Sequence, residues 1–217
     1  MAGAVVSEII SISEDRDAAM TRARGALRAG ECVVMPTDTV YGIGADAFNG
    51  EATGRIFELK RRPRSLPLPI LVSRPKQAWA LSSHVPPEAT ELVAAFWPGA
   101  LTLILPETEL TWEIGDTRGG VAVRMPAHDD LLALLESVGP LAVTSANVTG
   151  LPTPPTVQEI AEVFGDGVGV YLDGGTSPSE QGSTIVDLAK DAPVLVREGA
   201  IPASEIERVL DAPVARA

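Results

Sequence analysis

Two threonines, an acid and a tyrosine follow Pro36 in the run Cys32-Val-Val-Met-Pro-Thr-Asp-Thr-Val-Tyr-Gly-Ile-Gly-Ala-Asp-Ala47. The apolar residues before Pro36 read as a core strand that stops and delivers polar groups to its rim. Hydroxyls from Thr37, Thr39 and Tyr41, with glycines that admit close backbone approach, suit a small polar ligand there. Taken alone, the stretch suits a surface turn equally well. Similar cargo recurs after other apolar runs: Lys60 and Arg62, Arg124, Thr144-Ser145-Ala-Asn147, Ser183-Thr184 and Arg197. Singly these are ordinary turn or surface residues. In an α/β sheet they can converge at one edge, where ligands lie.

Charge distribution sharpens the chemistry. The net charge is −12, which argues against a chain-wide nucleic-acid or membrane footprint. Between Arg55 and Lys76, however, stand seven bases and one acid, leaving the remainder at −18. A basic patch on an acidic protein suits one polyanionic group such as a triphosphate, since Arg and Lys pair with phosphate oxygens. Lys60 to Arg62 also complement the C-terminal dipole of a helix, and both roles are compatible.

The elements that must position these groups follow from periodicity. Helices are expected over 15–29, with Ser13 as N-cap and Gly30 as stop, and over 51–62, ending at Pro63. Others are expected over 88–97, 128–137, 156–164 and 203–210. Strands are expected at 32–36, 69–72, 101–105, 121–124, 141–144, 169–172, 184–188 and 194–196. Strands interleaved with helices indicate an α/β fold. Consecutive strands near 101–124 and 169–196 make the sheet mixed, with parallel and antiparallel pairs. The segment Gly174–Gly182, rich in Gly and Ser, is the expected mobile loop.

The 217 residues, 45% apolar, fit one large domain over 1–217 with no additional C-terminal domain. With no secretory or membrane-spanning run, the expected location is cytoplasmic. The single cysteine, Cys32, lies in an apolar strand and reads as packing. His84 and His128 lack zinc-site spacing, so no metal site from protein side chains is expected. Gly42-Ile-Gly44-Ala-Asp-Ala47 matches G-x-G-x-x-A, but five residues separate it from the strand and no acid stands near position 65. P-loop and G-x-S-x-G motifs are absent.

The blocks Pro36-Thr-Asp-Thr-Val-Tyr-Gly42, Lys60-x-Arg62-Pro63, Trp97-Pro-Gly99, Val121-Ala-Val-Arg-Met-Pro126, Ser145-Ala-Asn147, Gly182-Ser-Thr-Ile-Val186 and Arg197 occur in one order. In these blocks the chain resembles the YrdC-like threonylcarbamoyl-AMP synthases over roughly residues 15–210. The resemblance implies a twisted mixed sheet flanked by helices around a concave basic cavity. It implies conversion of L-threonine, bicarbonate and ATP to threonylcarbamoyl-AMP and pyrophosphate, with Mg²⁺ carried by ATP. The product supplies threonylcarbamoyladenosine in tRNA through downstream transfer proteins, with tRNA contact possible. Position by position, the resemblance assigns Thr39, Arg124 and Ser183 to L-threonine. It assigns Lys60, Arg62, Ser145, Thr153 and Arg197 to ATP, with Lys60 and Arg62 catalytic, and Tyr41, Thr144 and Asn147 to the cavity. Leu66 and Leu71 stand where many members carry a polar residue, and the C-terminal domain of longer members is absent.

The residue types fit that chemistry independently. A carbamate can attack the α-phosphate without a further side-chain base, and cations would neutralise the leaving pyrophosphate. Carbamates decompose in water, which makes the Gly174–Gly182 loop the expected lid. Two other classes compete: a tRNA or double-stranded RNA binding module using the basic window, and an NADP-dependent oxidoreductase using the G-x-G-x-x-A turn.

Overall fold

Alternating side chains divide the molecule into two cores. Cys32 and Val34 pack on one side of their strand, Val33 and Met35 on the other, as the period of two in a strand requires. The computed structural model describes residues 7–217. In chain order the elements are β1 (Glu8–Ser11), α1 (Arg16–Arg28), β2 (Val33–Met35), β3 (Gly42–Asp46), α2 (Gly50–Lys60), β4 (Ile70–Leu71), α3 (Pro75–Ala80), α4 (Pro87–Phe96), β5 (Leu101–Pro106), β6 (Gly120–Arg124), α5 (Asp129–Val138), β7 (Leu141–Ser145), α6 (Val157–Phe164), β8 (Val170–Asp173), β9 (Thr184–Asp187), β10 (Val194–Arg197), α7 (Ala203–Leu210) and β11 (Ala215–Arg216). The strands join in the order β1-β8-β2-β3-β7-β4-β6-β5-β9-β10-β11. Parallel pairs (β2 with β8, β4 with β6, β5 with β9) occur together with antiparallel ones (β2 with β3, β3 with β7, β5 with β6), giving the mixed sheet that the sequence predicts.

The larger core gathers Ile56 and Phe57 of α2, Leu92 of α4, Ile160 of α6 and Ile206 of α7 against Ile43, Leu101, Leu103, Val121, Val123 and Val186. Each such side chain contributes about 1.5–3 kcal/mol on burial. The second core packs α1 and α5 on Val33, Met35, Leu71, Leu141, Val143, Val170 and Leu172, and takes no residue from β5, β6, β9 or β10. On that side those strands carry Thr102, Ile104, Ala122, Arg124, Ile185 and Asp187 instead, leaving part of the sheet for something other than helix packing.

Several boundaries differ from expectation for local reasons. Asp15, whose carboxylate accepts from Ala18 N at 2.9 Å, caps α1 in place of Ser13, whose hydroxyl pairs with Ser11. Helix α2 ends at Lys60, before Pro63, because Arg61 adopts a left-handed conformation (φ 50°), and the Arg61 and Arg62 amides turn back to Glu58 O and Phe57 O. The G-x-G-x-x-A segment is strand β3, with no phosphate turn. A side chain on Gly42 or Gly44 would meet Val143 at 2.7 Å, so these glycines let β3 lie close against β7. That removes the motif from which the oxidoreductase alternative was built. Strands β1 and β11 and the short helix α3 carry too few residues to announce a period.

Candidate functional site

The strand-end residues do not gather along one sheet edge. Strands β6 and β7 run in opposite directions on either side of β4, so Arg124 lies level with Leu141, at the far end of β7 from Ser145. Arg124 and Thr102 share the sheet face left by the second core, where the Pro36–Tyr41 connection reaches Arg124, whereas Lys60 ends α2, whose Ile56 and Phe57 pack in the larger core. Arg124 is only 7% exposed and each of its three nitrogens donates once: Nε to Gly99 O at 2.9 Å, Nη1 to Thr39 Oγ1 at 3.1 Å and Nη2 to Asp38 Oδ1 at 2.6 Å. Thr39 is buried and also pairs with Thr37 through their hydroxyls at 3.0 Å. Ser183 meets Thr102 hydroxyl to hydroxyl at 2.7 Å, and its carbonyl accepts from Arg197 Nε and Nη2 at 3.0 and 2.7 Å. Asp38 and Thr102 carry no assigned role in the sequence reading. Asp38 was legible as the acid inside Thr-Asp-Thr, and Thr102 as the one hydroxyl in an apolar strand.

Lys60 reverses an expectation. A lysine at a helix end reads as solvated, yet it is 1% exposed, with Nζ donating to Ser145 O and, at 2.6 Å, Asn147 O. Burial, and then the Arg62 charge, pulls its pKa down to about 7, while the two carbonyls act the other way by favouring the ammonium. Arg62 donates to Leu66 O at 2.7 Å and Pro67 O at 2.9 Å. Burial and then Arg197 lower the Arg62 pKa, and burial and then Arg124 lower that of Arg197. Burial lowers Arg124 as well, with Asp38 opposing. Arginines stay charged through such shifts. Lys60, Arg62, Arg197 and Arg124 are thus linked in sequence by mutual repulsion, with Asp38 as the counter-charge on Arg124.

Ser145 meets Lys60 through its carbonyl, and its neighbour Thr144 lies in β7 opposite Ile43. Asn147 is buried and shapes the following turn. Its amide donates to Val148 O and Leu151 O at 2.8 and 2.7 Å, and its Oδ1 accepts from Thr153 at 3.1 Å. Tyr41 is buried as a loop clamp, donating to Gly175 O at 2.7 Å and accepting from Gly174 N at 3.0 Å. Ser177 N bonds Pro155 O and Ala200 N bonds Gly182 O, so the Gly174–Gly182 segment is anchored at both ends. Pro36, Thr37, Asp38, Tyr41, His128 and Gly174–Pro178 line a cavity of about 390 Å³. Leu71 packs into the second core and pairs in register with Arg124, and Leu66 is exposed with its carbonyl taken by Arg62. Cys32 is buried, and burial pushes its thiol up to about 12, in keeping with a packing role. Among the described residues no helix is long and apolar enough to cross a membrane.

The Sua5/YciO/YrdC family model, described as telomere recombination, matches residues 25–199. The chain belongs to this family. Its family relatives include a Mycobacterium tuberculosis protein, provisionally named threonylcarbamoyl-AMP synthase, 44% identical over 91% of both chains. The Pyrococcus abyssi threonylcarbamoyl-AMP synthase is 43% identical over 87% of this chain, which spans 56% of that protein. The solved structure of P. abyssi Sua5 complexed with L-threonine superposes with a TM-score of 0.85 at 38% identity, covering 98% of this chain and 61% of that one. Each of the seven sequence blocks carries a residue placed above in hydrogen bonds around the four cations, with Gly99 supplying the carbonyl that holds Arg124 Nε.

Proposed function

We propose that this chain is an L-threonylcarbamoyladenylate synthase, a nucleotidyltransferase that joins L-threonine, bicarbonate and ATP into threonylcarbamoyl-AMP and releases pyrophosphate. The observation that carries this reading is the linked set of four cations, with Arg124 beside buried hydroxyls at one end and the deeply buried Lys60 at the other. Arg124, Thr39 and Ser183 take the amino acid, Arg124 through its carboxylate. Lys60, Arg62, Ser145, Thr153 and Arg197 hold ATP in a concave basic cavity, and Mg²⁺ enters with the triphosphate oxygens. Tyr41, Thr144 and Asn147 shape the wall.

The amine of threonine takes up bicarbonate with loss of water to give a carbamate. A carbamate oxygen attacks the α-phosphorus, and the bond to the β,γ-pyrophosphate breaks. Arg62, Arg197 and Lys60 lie where charge builds on the departing phosphates; fixed donors of this kind supply roughly 3–4 kcal/mol each. The product goes to proteins that transfer the threonylcarbamoyl group to tRNA.

Pyrophosphate release is therefore expected to need all three substrates. Full release from ATP and threonine in buffer scrubbed of carbon dioxide would sink the mechanism. Arg124→Lys is expected to weaken L-threonine about tenfold or more, with a much smaller change for ATP, because an ammonium cannot reproduce the planar bidentate fork. Titration of both ligands against the variant checks the assignment, which fails if ATP alone weakens.

A further inference from the structure

The geometry points to Asp38 as the residue that admits α-amino acids and turns away carboxylates lacking the ammonium. This inference rests on the assignment of Arg124 to the substrate carboxylate. Asp38 Oδ1 sits 2.6 Å from Arg124 Nη2, with the two side chains 14% and 8% exposed, so each is the other's counter-ion in a largely desolvated setting. Asp38 also borders the 390 Å³ cavity, beside Thr37, Tyr41 and His128. Asp38 thus joins the cavity wall to Arg124, which lies behind it and does not itself line the cavity.

A carboxylate seated on Arg124 must either displace Asp38 or lie next to it, and two carboxylates sharing one guanidinium repel. An α-amino acid resolves the conflict within itself, because its ammonium stands one carbon from its carboxylate and can take over Asp38 as the carboxylate takes Arg124. After carbamate formation the nitrogen keeps one N–H to donate to the same oxygen. A 2-hydroxy acid of equal shape offers only a weak neutral donor and leaves Asp38 as a buried, poorly paired charge. Discrimination then arises from the penalty on the wrong ligand more than from extra attraction for the right one. Thr39 and Gly99 O, which hold Arg124 Nη1 and Nε, keep the guanidinium in place while Asp38 changes partner.

The test compares dissociation constants, by calorimetry on the full chain, for L-threonine and for 2,3-dihydroxybutanoate, its hydroxy analogue. The wild type is expected to favour threonine by about a hundredfold or more. Asp38→Asn, which keeps the shape and an acceptor for Arg124, is expected to weaken threonine about tenfold and to leave the analogue unchanged or tighter, so that the preference collapses. Equal weakening of both ligands in a folded variant would mean that Asp38 merely braces Arg124, and would overturn the inference while leaving the carboxylate assignment intact. Equal affinity of the wild type for both ligands overturns it without any variant. If Arg124→Lys alters neither ligand, the carboxylate assignment falls and takes this inference with it.

Discussion

Arg62→Ala is expected to lower threonine-dependent pyrophosphate release by about two orders of magnitude or more while leaving the unfolding transition within a few degrees of wild type. Both parts follow from where the side chain stands. Its two fixed bonds go to carbonyls of Leu66 and Pro67, on an exposed connection where water can replace them. What water cannot replace is a guanidinium held close to Lys60 and Arg197, at the cost of repulsion from both. A folded protein keeps such an arrangement when charge on a ligand compensates it. Steady-state rates with saturating substrates, set beside a thermal melt, check both parts. Unchanged turnover would return Arg62 to the role of a solvated helix end.

Lys60→Met is expected to damage the fold as well as the chemistry, in contrast to what a lysine at a helix end suggests. Methionine fills the volume but leaves Asn147 O without its lysine donor, while Ser145 O keeps the Asn147 amide; a buried acceptor left unpaired costs about 1–3 kcal/mol. That loss lowers the melting temperature by roughly 2–12 °C in a domain of this size. The pH dependence gives an independent reading. The lysine is held at about 7 in the native state against an ordinary 10.5. Between those values the unfolded chain binds a proton that the folded one has shed, so stability linked to this group rises with pH through the window and is lost as pH falls through 7. The stability gap between wild type and variant should therefore widen from pH 7 to pH 9 in denaturant titrations. A constant gap would mean that Lys60 keeps an ordinary affinity for its proton inside the fold.

The contrast between these two cations shows how far residue types alone carry the argument. Lys60 and Arg62 lie two apart in one basic run, and the sequence gives both the same phosphate-binding prospect. The left-handed Arg61 separates them, turning Lys60 into the interior and leaving Arg62 half-exposed. No local periodicity announces that turn, because nothing in the chain demands glycine or asparagine at the position. Tyr41 and Asn147 follow the same pattern: the sequence offers both as cavity residues, and the structure uses Tyr41 as a clamp on Gly174 and Gly175 and Asn147 as the organiser of the turn to Thr153.

By itself the sequence determined the types of the longer elements, β3 excepted, the mixed sheet and the set of polar residues at strand ends. These are local properties: alternation sets a strand's two faces, helical spacing sets a stripe, and Pro or Gly marks where each stops. It also determined the family, since ordered blocks keep their identity whatever their placement. The tertiary structure alone decided which of those residues meet. Opposed strand directions across the two-residue β4 put Arg124 and Ser145 at different levels, and the open sheet face beneath Pro36–Tyr41 brought Asp38 and Thr39 onto Arg124. Contacts between residues some 85 positions apart depend on strand register and on which face the helices leave bare, and neither is written in any local stretch of the chain.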